Sequence, residues 1–223
     1  MLLAPVPFAK RVWALPVLTA LAPSERSCQE RNIRHKKLTD WARQIVFLLR
    51  RWLPERDLVV VADSGYSALE LLHACQHLPK PVTVITRLRL DAALYEPATP
   101  REIGQMGRTR LKGKRLPTLA KQSDDPKPVW QSTNILWYQG QEKNVEVASG
   151  IALWYHTGKP PVAIRWVLIR DPQGKFDTQA LLSTNVGVDP SQIIAWFMLR
   201  WYLEVTFQEV RLHLGVETQK QWS

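Results

Sequence analysis

Leu58-Val59-Val60-Val61-Ala62-Asp63-Ser64-Gly65-Tyr66 is the stretch on which the reading of this chain turns. Its continuous apolar run, closed by an acid and turn-forming residues, matches a short buried strand. In open α/β sheets, ligands collect beyond the carboxyl ends of strands, which makes Asp63 a candidate ligand. Asp is also a preferred helix N-cap, and a helix is expected over 68–75, so Asp63 or Ser64 could serve that end instead. Both roles stay open on these residues alone.

Working outward, 11–21 reads as a strand around Pro16, and a helix with Trp41, Ile45, Leu48 and Leu49 on its apolar stripe is expected over 36–52. A strand rich in Val, Ile and Thr follows at 81–88. This alternation of strands and helices predicts α/β architecture. From Tyr95 to about Pro128 the chain is rich in Pro, Gly and Arg, and reads as a long loop. Strands are expected at 135–138, 145–155, 163–170 and 176–183, with turns at Gln139-Gly140-Gln141, at 156–161 and at Asp171-Pro172-Gln173-Gly174. The final helix should begin at Pro190, capped by Asp189.

That last helix is the second informative stretch. Arg200, Glu204, Gln208 and Arg211 share one narrow sector, because residues three, four and seven apart lie on one face. Nearly everything else from Ile193 to Leu214 is apolar, which predicts a buried helix whose lone carboxylate is held between two guanidinium groups. The plainer alternative is an exposed i, i+4 ion pair of small energetic weight.

Charge narrows the class of partner. The 223 residues carry a formal net charge of +10. Two segments, 26–56 and 87–121, each hold nine Lys/Arg against three acids and account for the whole excess. Concentrated positive charge suits a polyanion, since each neutralised phosphate releases condensed counterions. A solubilising surface or attraction to anionic membranes fits the same composition. Cys28 and Cys75 lie far apart and form neither a disulfide framework nor a metal motif, consistent with a reducing cytoplasm. Val12 to Ala22 imitates a signal sequence but is too short to span a bilayer and holds Pro16, so a buried strand is expected there.

Asp63 in its strand-Asp-Ser-Gly-Tyr setting, followed by Phe197-(2)-Arg200-(3)-Glu204-(6)-Arg211, resembles the DDE transposases of bacterial insertion sequences. Their last catalytic helix carries Tyr-(2)-Arg-(3)-Glu-(6)-Lys; here Phe stands for Tyr and Arg for Lys. The insertion sequence 701 group, related to the insertion sequence 4 family, is resembled in particular through Trp13-Ala14-Leu15-Pro16, His35-Lys36-Lys37-Leu38-Thr39-Asp40, Arg87-Leu88-Arg89-Leu90-Asp91, the segment 107–117 and Arg165-Trp166-Val167-Leu168-Ile169-Arg170.

The resemblance implies a ribonuclease H-like α/β fold with an antiparallel β-rich insertion before the last catalytic helix. Residues 1–94 would be the first part of the core, 95–185 the basic loop and insertion, and 186–223 the helix returning to the core. It implies Mg²⁺ or Mn²⁺ as cofactor, with Asp63 and Glu204 as metal-holding catalytic carboxylates. Arg200 and Arg211 would contact DNA, with Lys112, Lys114 and Arg115 as further candidates. The expected partners are transposon-end DNA and a full-length transposase or second copy, in a bacterial cytoplasm at the nucleoid, without a membrane.

The family's first Asp has no counterpart at the end of an apolar strand: the acids before Asp63 are Glu25, Glu30, Asp40, Glu55 and Asp57. The chain therefore reads as truncated at both ends, starting near the end of the second strand at 1–9. A chain lacking the central first strand is expected to be marginally stable and inactive by itself. The alternatives are a non-catalytic DNA-binding or transposase-interacting regulatory protein, and a basic RNA-binding protein. Competing signals are His73 and His77 at i, i+4, which could clip a metal, and Asp124-Asp125 in a polar loop. The sequence holds neither a phosphate-cradling Gly loop nor a nucleophile elbow.

Overall fold

The computed structural model describes residues 1–9, 11–99, 110–125, 130–137 and 141–215, which fall into two compact units: 22–197, and 1–21 together with 198–223.

The larger unit is built on a seven-stranded mixed sheet. Its strands are β3 (Val59–Val61), β4 (Thr83–Leu88), β5 (Leu94–Tyr95), β6 (Gln131–Leu136), β7 (Glu142–Trp154), β8 (Val162–Arg170) and β9 (Gln179–Ser183). The order is β3-β4-β9-β8-β7-β5, with β6 also on β7. Only β3 and β4 run parallel; the other pairings are antiparallel. Within this unit the runs expected to be strands are all found as strands, with ends shifted by up to four residues. The antiparallel strands do not form a sheet of their own: β9 pairs directly with β4, with Ile85 opposite Ser183 and Leu88 opposite Ala180.

Strand alternation divides this sheet into two buried faces. On one, Val82, Val84 and Leu88 line up with Ala180 and Leu182, and with Ile164, Trp166 and Leu168. Against them pack Leu69, Leu71, Leu72 and Cys75 of α3 (Leu69–Gln76) and Val46 of α2 (Leu38–Trp52). Gly150 lies opposite Trp166, and a Cβ there would sit 2.6 Å from the indole Cζ2, so only glycine admits the ring. On the other face Ile85, Val167, Ile169 and Leu181 are fully buried. Phe197 of α5 (Pro190–Leu199) is also buried, and the Arg87 guanidinium lies 5.8 Å from its ring centroid.

Several local ends follow from chemistry that the sequence displays. Asp189 caps α5 as expected, accepting from Ser191 N at 2.8 Å and Ser191 Oγ at 2.5 Å, with Pro190 opening the helix. Two short helices add to those expected, the second within the segment read as a long loop. In α1 (Glu25–Glu30), Ser24 Oγ accepts from Ser27 N; in α4 (Leu119–Asp124), Thr118 Oγ1 accepts from Lys121 N.

The described residues of 95–128, namely 95–99 and 110–125, hold more regular pairing than their composition suggests. Glu96 N donates to Lys114 O at 2.8 Å, Gly113 N to Glu96 O at 2.9 Å and Leu116 N to Leu94 O at 2.9 Å, so 113–116 pairs with β5. Gly113 is required there, because a Cβ would lie 2.6 Å from Pro97 O. Residues 100–109 and 126–129 lie outside the described residues, as do Tyr138 of the expected strand 135–138 and Gln139 and Gly140 of the expected turn.

The smaller unit holds an antiparallel ribbon of β1 (Leu2–Val6) and β2 (Arg11–Leu15), with Leu2 opposite Leu15 and Val6 opposite Arg11. The strand expected over 11–21 stops at Leu15, because Pro16 has no N–H to continue the ladder. The expectation of a buried strand to Ala22 fails accordingly: only Ala14 is buried, and Leu21 is 88% exposed. Helix α6 (Trp201–Leu214) packs on β2, where Ala14 N donates to Thr206 Oγ1 at 3.3 Å. Residues 216–223 lie outside the described residues.

Candidate functional site

Asp63 stands just past the carboxyl end of β3, and its backbone is fixed from two sides. Ala62 N donates to Ile85 O at 2.9 Å, and Thr86 Oγ1 donates to Asp63 O at 2.8 Å. Thr86 is fully buried, so the strand neighbour that orients Asp63 is itself immobilised. Thr86 is a site residue that the sequence motifs do not mark, although a hydroxyl in an apolar strand is a signal that a polar partner lies nearby.

Asp63 does act as a cap, but of a different element from the one expected. Its Oδ1 accepts from Ser64 N at 2.7 Å and closes a single 3-10 turn, Ser64–Tyr66; α3 begins later, at Leu69, without a side-chain cap. The carboxylate is exposed and makes no ion pair among the described residues. Capping therefore uses one oxygen and leaves the other for a ligand. The two roles open on sequence grounds are compatible.

Helix α6 presents the second group. Arg200 Nη2 donates to Glu204 Oε1 at 3.2 Å, with the Arg200 side chain 23% exposed and Glu204 58% exposed. This corrects the expected buried helix with a lone carboxylate. Thr206 is the buried residue of α6, while Leu212 and Leu214 are 69% and 73% exposed. The ribbon beneath is only two strands wide, so it covers one stripe of the helix. Glu204 is not the only acid either: Glu209 pairs with Arg11 at 3.7 Å and His213 at 3.3 Å. The helical run is interrupted at Arg200, where Leu203 N reaches Arg200 O in a tighter i, i+3 bond. Gln208 and Arg211 are exposed further along α6.

Asp63 and Glu204 thus belong to different units, and each is described within its own. Among the described residues no group of three or more His, Cys, Asp and Glu could hold a metal ion. Taken singly, both supply accessible carboxylate oxygens, the donor type that Mg²⁺ and Mn²⁺ take.

The basic candidates differ from one another. Lys112 Nζ lies 3.7 Å from the Tyr95 ring centroid and 4.5 Å from that of Tyr155, the two rings meeting edge-on. This clasp ties the basic segment to the end of β7. Lys114 and Arg115 remain exposed beside β5.

The competing signals resolve as structure. The His73 and His77 rings stack with centroids 3.9 Å apart, and His77 Nδ1 lies 2.8 Å from His73 O, so neither ring is aimed at a common metal. Burial holds the His73 pKa below its usual value, with the neighbouring His77 adding to the effect. Burial pushes the Cys75 thiol up to about 11, so it is inert at neutral pH. Asp124 is exposed and accepts a 3.3 Å hydrogen bond from Ser123 Oγ.

The model of the DDE superfamily endonuclease family matches residues 1–145. The match takes in Asp63 and the Lys112–Arg115 segment and ends before Glu204. Nucleases of this superfamily act on DNA and generally use divalent metal ions. No curated protein matches the chain significantly. Among the described residues no helix is long and apolar enough to cross a membrane. Since the match spans more than half of the 223 residues, the chain belongs to the DDE superfamily endonuclease family.

Proposed function

We propose that this chain is a transposase polypeptide of the insertion sequence 701 group, directed to the cutting and joining of transposon-end DNA. The observation that carries the reading is Asp63: an exposed carboxylate at the carboxyl end of a parallel strand, with one oxygen uncommitted and its backbone held by Thr86. Family membership supports the DNA-directed chemistry.

Asp63 and Glu204 are the residues that would hold Mg²⁺ or Mn²⁺. Such ions stabilise the attacking and leaving oxygens of an in-line phosphodiester displacement. Arg200 restrains the Glu204 carboxylate through its ion pair and, with Arg211, offers guanidinium groups suited to phosphate. Two carboxylates are a partial set for a hard cation that takes several oxygens, so this polypeptide by itself is expected to hold metal weakly and to cut DNA poorly.

Duplex DNA binding by the purified chain, with and without Mn²⁺, tests the reading. Mn²⁺ should strengthen binding, and Asp63→Asn and Glu204→Gln should each remove the gain. Metal-indifferent binding that is equal in all three proteins would favour the non-catalytic, regulatory alternative. Metal-dependent nicking abolished by Glu204→Ala would show that the chain is a competent nuclease alone.

A further inference from the structure

The connection between α1 and α2 carries more positive charge than its surroundings use: Lys36 lies over the Trp41 ring and Lys37 acts on Glu70 only at long range. Its path is set at the start: Asn32 adopts a left-handed backbone (φ 50) and Ile33 N donates to Cys28 O at 2.9 Å, a helix-ending motif that Asn tolerates well. Residues 31–38 are then all exposed until α2 begins. Within them lie Arg31, Arg34, Lys36 and Lys37, with no acid.

Of the other five cations in 26–56, Arg51 and Arg56 are exposed and the remaining three are engaged. Arg26 pairs with Glu30 at 3.0 Å and Arg43 with Asp40 at 3.4 Å. Arg50 is buried, its Nη1 donating to the carbonyls of Leu53, Pro54 and Arg56 at 2.8, 3.1 and 2.8 Å. The two acids flanking the connection, Glu30 and Asp40, are therefore occupied. The four cations make no salt bridge among the described residues.

Four like charges on so short a segment repel one another, and a polyanion relieves that cost. Duplex DNA offers a phosphate about every 3.4 Å along each strand, while seven residues reach at most about 23 Å, enough to meet several. Bases have no open platform to stack on here, because Lys36 Nζ sits 4.8 Å from the centroid of the Trp41 ring. Contact would be with the backbone alone.

We propose that Arg31, Arg34, Lys36 and Lys37 form a docking loop that grips the phosphate backbone of duplex DNA without reading its sequence. This rests on the DNA-directed reading above, but not on the identity of the metal-holding residues.

The test is fluorescence anisotropy of the full chain on a labelled duplex of arbitrary sequence, across a salt series. Removing all four cations (Arg31→Ala, Arg34→Ala, Lys36→Ala, Lys37→Ala) should lower the slope of log K against log salt by about 3–4, since each phosphate contact contributes about 0.9. Arg31→Lys with Arg34→Lys should keep the slope. Lys175→Ala, an exposed cation outside both basic segments, should leave it unchanged. If the parent binds and the four-fold variant binds with the same slope, this proposal fails while the DNA reading stands. If the parent binds no duplex, or prefers single-stranded RNA, both fail.

Discussion

The seven-stranded sheet and the β1–β2 ribbon with α6 handle apolar residues in opposite ways. In the sheet, Leu168, Ile169, Leu181 and Leu182 are completely buried between layers. In the smaller unit, Ala14 and Thr206 mark the buried line where the ribbon meets α6, while Leu2, Leu212 and Leu214 are more than half exposed. A wide sheet has two faces to cover and enough strands to cover them with; a two-stranded ribbon is at the lower limit of what buries anything. The lesson concerns function. Asp63 sits on the rigid element and Glu204 on the thinly packed one, so their positions are specified with unequal stringency.

The contrast can be broken most forcefully at Leu182. Leu182→Ala in the fully buried β9 should cost about 2–5 kcal/mol in urea denaturation, whereas Leu212→Ala in α6 should change stability by less than about 0.5 kcal/mol. Comparable losses at both sites would mean that α6 is as tightly packed as the sheet. Gly150→Ala should follow, at about 1–3 kcal/mol, because the new Cβ meets the Trp166 ring and an indole has little freedom to yield. A neutral result there would show that Trp166 can move aside.

Smaller effects sharpen the comparison at the entry to α5. Asp189→Ala should cost about 1 kcal/mol through the lost cap. The Ser191 hydroxyl and N–H hold the Asp189 carboxyl below its usual range, so its stabilising effect is complete above that range and is lost as pH falls through the depressed value. Asp189→Asn keeps a capping oxygen and removes the titration. It should match the parent near neutral pH and show a shallower loss of stability on acidification, read from melts across the acid range.

Sequence legibility followed the same divide. Runs rich in apolar and β-branched residues, such as 59–61 and 162–170, read as sheet, and Asp189-Pro190 announced a helix start. What escaped was set by partners distant in sequence. The pairing of 113–116 with β5 hides in a Pro-, Gly- and Arg-rich stretch, because its order comes from Gly113 lying against Pro97 and from Lys112 clasped by Tyr95 and Tyr155. The exposure of α6 escaped because an apolar count reports what a helix could bury, not how wide its platform is. Of the site, Asp63 was legible from the strand it ends, and the Arg200–Glu204 pair from helical spacing. Thr86, which orients Asp63, was not, since strand pairing alone brings them together.

If Asp63 and Glu204 hold metal ions for one function, as proposed, paramagnetic broadening will show it, because it detects weak binding without requiring activity. Mn²⁺ titrated into the isotopically labelled full chain should broaden the amides of Ser64 and Gly65 and those of Leu203 and Val205 over the same concentration range. Asp63→Asn or Glu204→Gln should weaken both sets together. Broadening confined to one carboxylate, or undiminished by either substitution, would contradict the account.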